Sequence, residues 1–297
     1  MSGKYQIRKV RRDGVTQRYW VAPTREHDDA VIGVMRDRLP TAESRKEQEL
    51  ARQLLQNPSV QELLYRSLVW HYEETKSFDS KPMLFLRHYL SRGYPEVEKL
   101  LVRLATEPSE GNVRTAAIHT IATSTNPRVS RLLREIADKA TDELSATYAI
   151  MQLADHLQDT MENLIGEGIT PTRDEVLDAL ETLGLAMQGK WFSPEGEISS
   201  ILPALKYKRS EFEQAAQGQI PARVEQQVIE GLISILSSVS VFDDAFEEAL
   251  NVIKEWGSEY ALSKLRSLLS GSLPQQWRVM VSNAINEIEH QPKRETR

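Results

Sequence analysis

The chain has 297 residues, a net charge of −6 and no cysteine. Its composition, 40% hydrophobic and 27% charged, is that of a globular chain and excludes wholesale disorder. The missing thiols exclude a disulfide framework, thiolate metal sites and a cysteine nucleophile, which fits a reducing compartment.

The charge is uneven. Residues 1–25 carry Lys4, Arg8, Lys9, Arg11, Arg12, Arg18 and Arg25 against the single acid Asp13, a local +6, so the remainder carries −12. Residues 4–21 read as strand, turn, strand. Two runs rich in β-branched and aromatic residues flank Asp13-Gly14, a dipeptide that supports a tight turn. A two-stranded hairpin is marginal by itself in water, so this one is expected to pack on the body, on a partner chain or on a nucleic acid. Its residues Arg8, Lys9, Arg11, Arg12, Arg18, Tyr19 and Trp20 form a candidate interaction set, the cations for phosphates or acidic side chains and the rings for stacking. The alternative is a charged edge that resists aggregation.

Residues 22–40, between Pro23 and Pro40, read as a connector. From Thr41 onward the pattern is helical. Asn57 and Pro58 open one helix, Pro82 opens another that Gly93 closes, and helices follow over 95–106, 113–125, 127–140 and 142–165. Thr172 with Glu175 forms a capping box for a helix to Met187. Further helices are expected over 197–207, 221–239, 243–256, 258–270 and 274–290. The short turns between them predict antiparallel neighbours.

A repeat runs through this region. Pro95, Val97, Leu100, Leu101, Leu104 and Ala105 recur 32 positions later as Pro127, Val129, Leu132, Leu133, Ile136 and Ala137. Ala117, Ile118, Ile121 and Ala122 recur at the same offset as Ala149, Ile150, Leu153 and Ala154. Pro58, Val60, Leu63 and Leu64 echo the first half. A fixed period with two apolar-striped helices per unit marks an α-solenoid, in which each pair buries its face on the next.

The Pro-x-Val-x-x-Leu-Leu helix and the run Val113-Arg114-Thr115-Ala116-Ala117-Ile118 resemble the HEAT-repeat family. The resemblance covers about 58–72 and 95–158, with a fainter echo at 258–289, where Arg278 stands like Arg114. It implies an all-α, HEAT-like solenoid of antiparallel helix pairs, carrying the short N-terminal β-hairpin. The expected organisation is a basic hairpin arm (1–22), a connector (23–40), HEAT-like repeats (41–165), C-terminal helical repeats (166–290) and a basic tail (291–297).

Signals for chemistry are sparse. The six histidines, His27, His71, His88, His119, His156 and His290, make no His-Glu-x-x-His pair, and no phosphate loop or nucleophile elbow occurs. No cofactor, metal or catalytic residue is therefore expected. The aromatic group Tyr65, Trp70, Tyr72, Phe78, Phe85, Tyr89 and Tyr94 reads as core packing, with a binding groove as the alternative. Arg128, Arg131 and Arg134 recur at helical spacing among Glu135 and Asp138 and read as a solvated face with intrahelical Arg–Glu and Arg–Asp pairs, with a site for an acidic partner or phosphates as the alternative. The first residues lead into a polar stretch without an apolar core, and no secretory signal or membrane span is expected, which makes the protein cytoplasmic. The functional expectation is a non-catalytic scaffold for a protein partner. The alternatives are a nucleic-acid-associated protein that uses residues 4–21 and a HEAT-like enzyme of unknown reaction.

Overall fold

The computed structural model describes residues 6–12, 15–21, 49, 53, 56–61, 63, 81–107, 111–168, 170–192, 198–238 and 243–290. It divides into two compact units, residues 1–120 and 121–297. The expected connector and basic tail lie outside the described residues, as does most of the helix expected after Pro58.

In the first unit, β1 (Gln6–Arg12) and β2 (Val15–Val21) pair antiparallel, with Gln6 opposite Val21 and Arg12 opposite Val15. Residues 57–61 begin as a helical turn in which the Asn57 side chain accepts the Ser59 N–H at 2.9 Å. Then come α1 (Lys81–Ser91), α2 (Pro95–Thr106) and α3 (Gly111–Ala122), whose last two residues belong to the second unit. Pro95 sits in the first turn of α2, where its missing N–H leaves no helix bond unmade. Val97, Leu100, Leu101, Leu104 and Ala105 form its buried stripe.

The second unit is wholly helical among the described residues. It holds α4 (Val129–Lys139), α5 (Glu143–Glu167), α6 (Arg173–Met187), α7 (Ile198–Leu205), α8 (Arg209–Ala215), α9 (Ala222–Ser237), α10 (Asp243–Trp256), α11 (Glu259–Leu269) and α12 (Gln275–His290). Two rows organise it. Helices α4, α6, α9 and α11 touch in that order, and α5, α7, α10 and α12 touch in that order. The rungs α4–α5, α6–α7, α9–α10 and α11–α12 join the rows. Each rung pairs a helix with its neighbour in sequence, except that the short α8 is inserted between α7 and α9, where it contacts α5 and α6.

Local chemistry sets the ends of these helices. Asp142 accepts the Ser145 N–H at 2.8 Å and starts α5, which stops at Gly168 with φ at 69°, a left-handed conformation that glycine adopts without steric cost. Helix α4 begins two residues later than the Pro127 signal implies, because the Asn126 side chain takes the Arg128 N–H at 2.8 Å and holds a turn there. Ser258 accepts the Ala261 N–H and starts α11.

The equivalent apolar positions share one fate. Val97, Leu100 and Leu101 are buried, and so are Val129, Leu132 and Leu133; Ala117, Ile118, Ile121 and Ala122 are buried, and so are Ala149, Ile150, Leu153 and Ala154. Farther along the first row, α6 and α9 meet backbone to backbone. A Cβ on Gly184 would stand 2.7 Å from the Gln227 carbonyl, and one on Gly231 would stand 2.6 Å from the Gly184 oxygen. The Gln188 side chain bridges the carbonyls of Gly184 and Gln227, each at 3.2 Å.

Leu133 is fully buried and Arg131, two residues before it on α4, is exposed. Truncating Leu133 to Ala is expected to cost about 2–5 kcal/mol, through lost transfer energy and the cavity left behind. Arg131→Ala is expected to stay within about 0.5 kcal/mol. Urea unfolding of both variants checks this, and comparable losses would mean that the buried face of α4 is not the one carrying Leu133.

Candidate interaction surfaces

The residues singled out on the arm fall at definite register positions. Ile7 stands opposite Trp20, Arg8 opposite Tyr19, Lys9 opposite Arg18, Arg11 opposite Thr16 and Arg12 opposite Val15. Opposed positions share a face, and faces alternate along a strand. Positions 9, 11, 18 and 20 therefore share one face of the ribbon, and positions 8, 12 and 19 share the other. The seven candidates are two groups rather than one, and neither Arg11 and Arg12 nor Tyr19 and Trp20 lie together.

In the second unit the polar side chains tie helices of the first row to one another. Arg134 of α4 stands 3.6 Å from Glu181 of α6, whose carboxylate also receives the Arg223 guanidinium of α9. Tyr260 of α11 donates its hydroxyl to Glu230 of α9 at 2.5 Å, and Lys264 adds a bond to the same oxygen at 3.2 Å. The Tyr260 and Lys264 bonds hold the Glu230 carboxyl below the usual range, against the opposing effect of burial. Arg209 of α8 reaches Glu225 of α9 at 3.0 Å and Glu213 of its own helix at 3.1 Å. Within α4, Glu135 pairs with Lys139 at 2.7 Å, an intrahelical pair but not the Arg–Glu pair expected. Asp138 instead accepts from Lys190 Nζ at 2.8 Å and from the Trp191 indole N–H at 3.0 Å, beyond the end of α6.

Two features escape sequence reasoning. The His156 ring on α5 spans two oxygens, with Nδ1 2.9 Å from the Ala122 carbonyl and Nε2 2.8 Å from Glu175 of α6. Both side chains are largely enclosed. The expected capping box is thereby half made: Thr172 accepts the Glu175 N–H at 3.3 Å, but the Glu175 carboxylate is engaged by His156. Arg173 donates to the carbonyls of Ala216 at 3.1 Å and Gln219 at 2.9 Å, fixing the loop after α8. No motif marks either feature, since each joins residues more than 15 positions apart.

Arg278 closes the loop between α11 and α12, donating to the carbonyls of Leu269, Gly271 and Leu273. Its guanidinium is a loop staple.

On the second row, burial raises Asp155, with Asp159 adding repulsion, and burial raises Glu248 against the pull of Lys206. Tyr207, buried and beside Glu162, is pushed up to about 12.

Of the aromatic group, Tyr65, Trp70, Tyr72 and Phe78 and the side chain of Phe85 lie outside the described residues. Tyr89 and Tyr94 are buried and pack edge to face at 5.3 Å, which is core packing. Among the described residues no group of three or more His, Asp or Glu could hold a metal ion. His27 and His71 lie outside them. Among the described residues no helix is long and apolar enough to cross a membrane.

No family model matches the chain, and no curated protein matches it. Among solved structures the chain is similar to one from a study titled "Computational Design of Self-Assembling Cyclic Protein Homooligomers", at 15% identity over 89% of this chain and 90% of that one. The TM-score is 0.17, too low to bear on fold or function.

Asp178 on α6 supplies a pH-dependent prediction. Burial raises its carboxyl; Arg134 and Arg131 of α4 pull it down, while Asp174 and Glu181 push it up. A carboxyl raised on folding binds its proton more tightly in the folded chain. Its stabilising contribution is therefore full at low pH and is lost as the pH rises through the raised value. Asp178→Asn is expected to raise the urea midpoint at pH 7 relative to the unaltered chain and to make a smaller difference near pH 4. A loss of stability that grows with pH would mean that the arginines hold the group ionised.

Proposed function

We propose that the protein is a non-catalytic binding scaffold of the cytoplasm, a HEAT-like α-solenoid that presents a row of helices to a protein partner. The observation that carries this reading is the order in which helices touch in residues 129–290, where two rows run side by side and each helix meets its neighbours in its own row. Such an arrangement offers side chains from several helices on one nearly rigid surface, so a partner meets little ordering cost on binding. The interhelical pairs Arg134–Glu181–Arg223 and Glu230–Tyr260–Lys264 support it, because they fix the spacing between helices of that row. The apolar repeat at an offset of 32 supports the family resemblance.

A second reading concerns the arm. Strands β1 and β2 carry five cations, Arg8, Lys9, Arg11, Arg12 and Arg18, and no acid. That density favours a polyanionic partner, and we propose a nucleic acid contacted through residues 4–21.

The scaffold reading is tested by purifying the complex that the full chain captures from native lysate and measuring hydrogen exchange on free and bound chain. The expected result is a stoichiometric complex with protection spread over at least three consecutive helices of one row, such as α4, α6 and α9. Protection confined to one helix, or turnover of a substrate by the chain alone, would contradict it.

A further inference from the structure

We propose that the arm binds single-stranded nucleic acid through one face only, the face of Lys9, Arg11, Arg18 and Trp20. This rests on the second reading above and sharpens it.

The strand register carries the argument. Lys9 and Arg18 are directly opposed, so their Cα atoms lie about 4.5–5.5 Å apart. Arg11 follows Lys9 by two residues on the same face, about 7 Å farther along the strand. Like charges directly opposed across a ladder destabilise it. Neither strand supplies an acid to offset them. Three cations at that spacing therefore gain most from an anionic chain laid along the ribbon. Trp20, opposite Ile7, occupies the next same-face position of the ladder beyond Arg18. A cationic track that ends on an aromatic residue is what single-stranded nucleic acid uses, the phosphates following the charge and a base stacking on the ring. A duplex hides its base faces, so it would use the cations without the tryptophan. The other face is of different character: its positions are Gln6, Arg8, Val10 and Arg12 on β1 and Val15, Gln17, Tyr19 and Val21 on β2. There a valine separates the two cations, and three valines and a tyrosine share the surface, a composition suited to packing on protein.

The two faces can be separated at equal cost in charge. Lys9→Glu with Arg18→Glu and Arg8→Glu with Arg12→Glu change the net charge equally, on opposite faces. Each full-length variant is titrated against a labelled single-stranded oligonucleotide of about 20 nucleotides by fluorescence anisotropy between about 50 and 200 mM salt, after circular dichroism shows the helical signal of the unaltered chain. The first pair is expected to weaken binding at least about tenfold and to flatten the log–log salt dependence by about 0.7 for each phosphate no longer neutralised. The second pair is expected to weaken binding less than the first, through net charge alone, and to leave the log–log slope as in the unaltered chain. Trp20→Ala is expected to cost about tenfold on the single strand and to leave duplex binding unchanged, whereas Tyr19→Ala leaves both unchanged. Equal losses from the two pairs would overturn the face assignment while keeping the arm as a nucleic-acid element. Polyglutamate bound as tightly as the oligonucleotide would overturn the choice of ligand in favour of an acidic protein. No binding of any oligonucleotide at the lowest salt would overturn both the proposal and the reading it rests on.

Discussion

Contact between the backbones of α6 and α9 is the constraint on which the second unit depends. At Gly184 and Gly231 there is no room for a Cβ on either side, and the Gln188 side chain bridges carbonyls of both helices across the crossing. Glycine in a helix interior costs about 1 kcal/mol relative to alanine, so two such residues at one crossing mark a place where close approach outweighs propensity. The approach sets how far apart α6 and α9 can stand. On the same row Glu181 lies between Arg134 and Arg223, and Glu230 is within reach of Tyr260. The apolar stripes of α6 and α9, including Val176, Leu180, Leu183, Val228, Leu232 and Ile235, then close around it.

Ion pairs join helices in both rows, and on the second Lys254 of α10 stands 3.1 Å from Glu287 of α12. Along the first, Glu181, Glu225 and Glu230 are met by cations on neighbouring helices, and the resulting bonds join one helix to the next. Along the second, burial raises Asp155, Glu248 and Tyr207; nearby carboxylates add to the rise at Asp155 and Tyr207, and Lys206 opposes it at Glu248. On the first row burial raises Asp178 and Tyr260 as well. Isolated surface pairs contribute little to stability. Here the weight of the interhelical ones lies in geometry, since each adds a directional contact between helices that also pack through apolar side chains.

Much of the helical content is legible in the amino-acid sequence because it is written locally. Pro95, Asp142, Thr172 and Ser258 stand where helices begin, and Gly168 where one stops. The apolar positions at an offset of 32 are legible for the same reason: burial at Leu101 and Leu133 follows from a stripe visible within each helix. What is not legible is what distant residues do to one another. Glu175 has the spacing of a capping residue, but its carboxylate answers to His156, 19 residues earlier. Asp138 and Arg134 look like partners within one helix, and the fold gives each a partner elsewhere. Helix α8 is missed because seven residues, Arg209–Ala215, are too few for a period to show. On the arm, the expectation of strands rests on Asp13-Gly14 and composition, and the division of its cations between faces follows only from the register.

The most direct test of the central constraint is a comparison of glycines in one urea unfolding series. A Cβ added at Gly166, near the end of α5, would meet nothing within 4 Å, and the backbone there does not take a positive φ; a Cβ added at Gly231 would run into the Gly184 oxygen and Met187. Gly166→Ala is expected to stabilise the chain by about 0.4–1 kcal/mol. Gly231→Ala is expected to destabilise it by about 1–3 kcal/mol, because the helices must part to admit the methyl group. A stabilisation by Gly231→Ala equal to that at Gly166 would show that α6 and α9 are not in backbone contact, and the row would have to be held together in some other way.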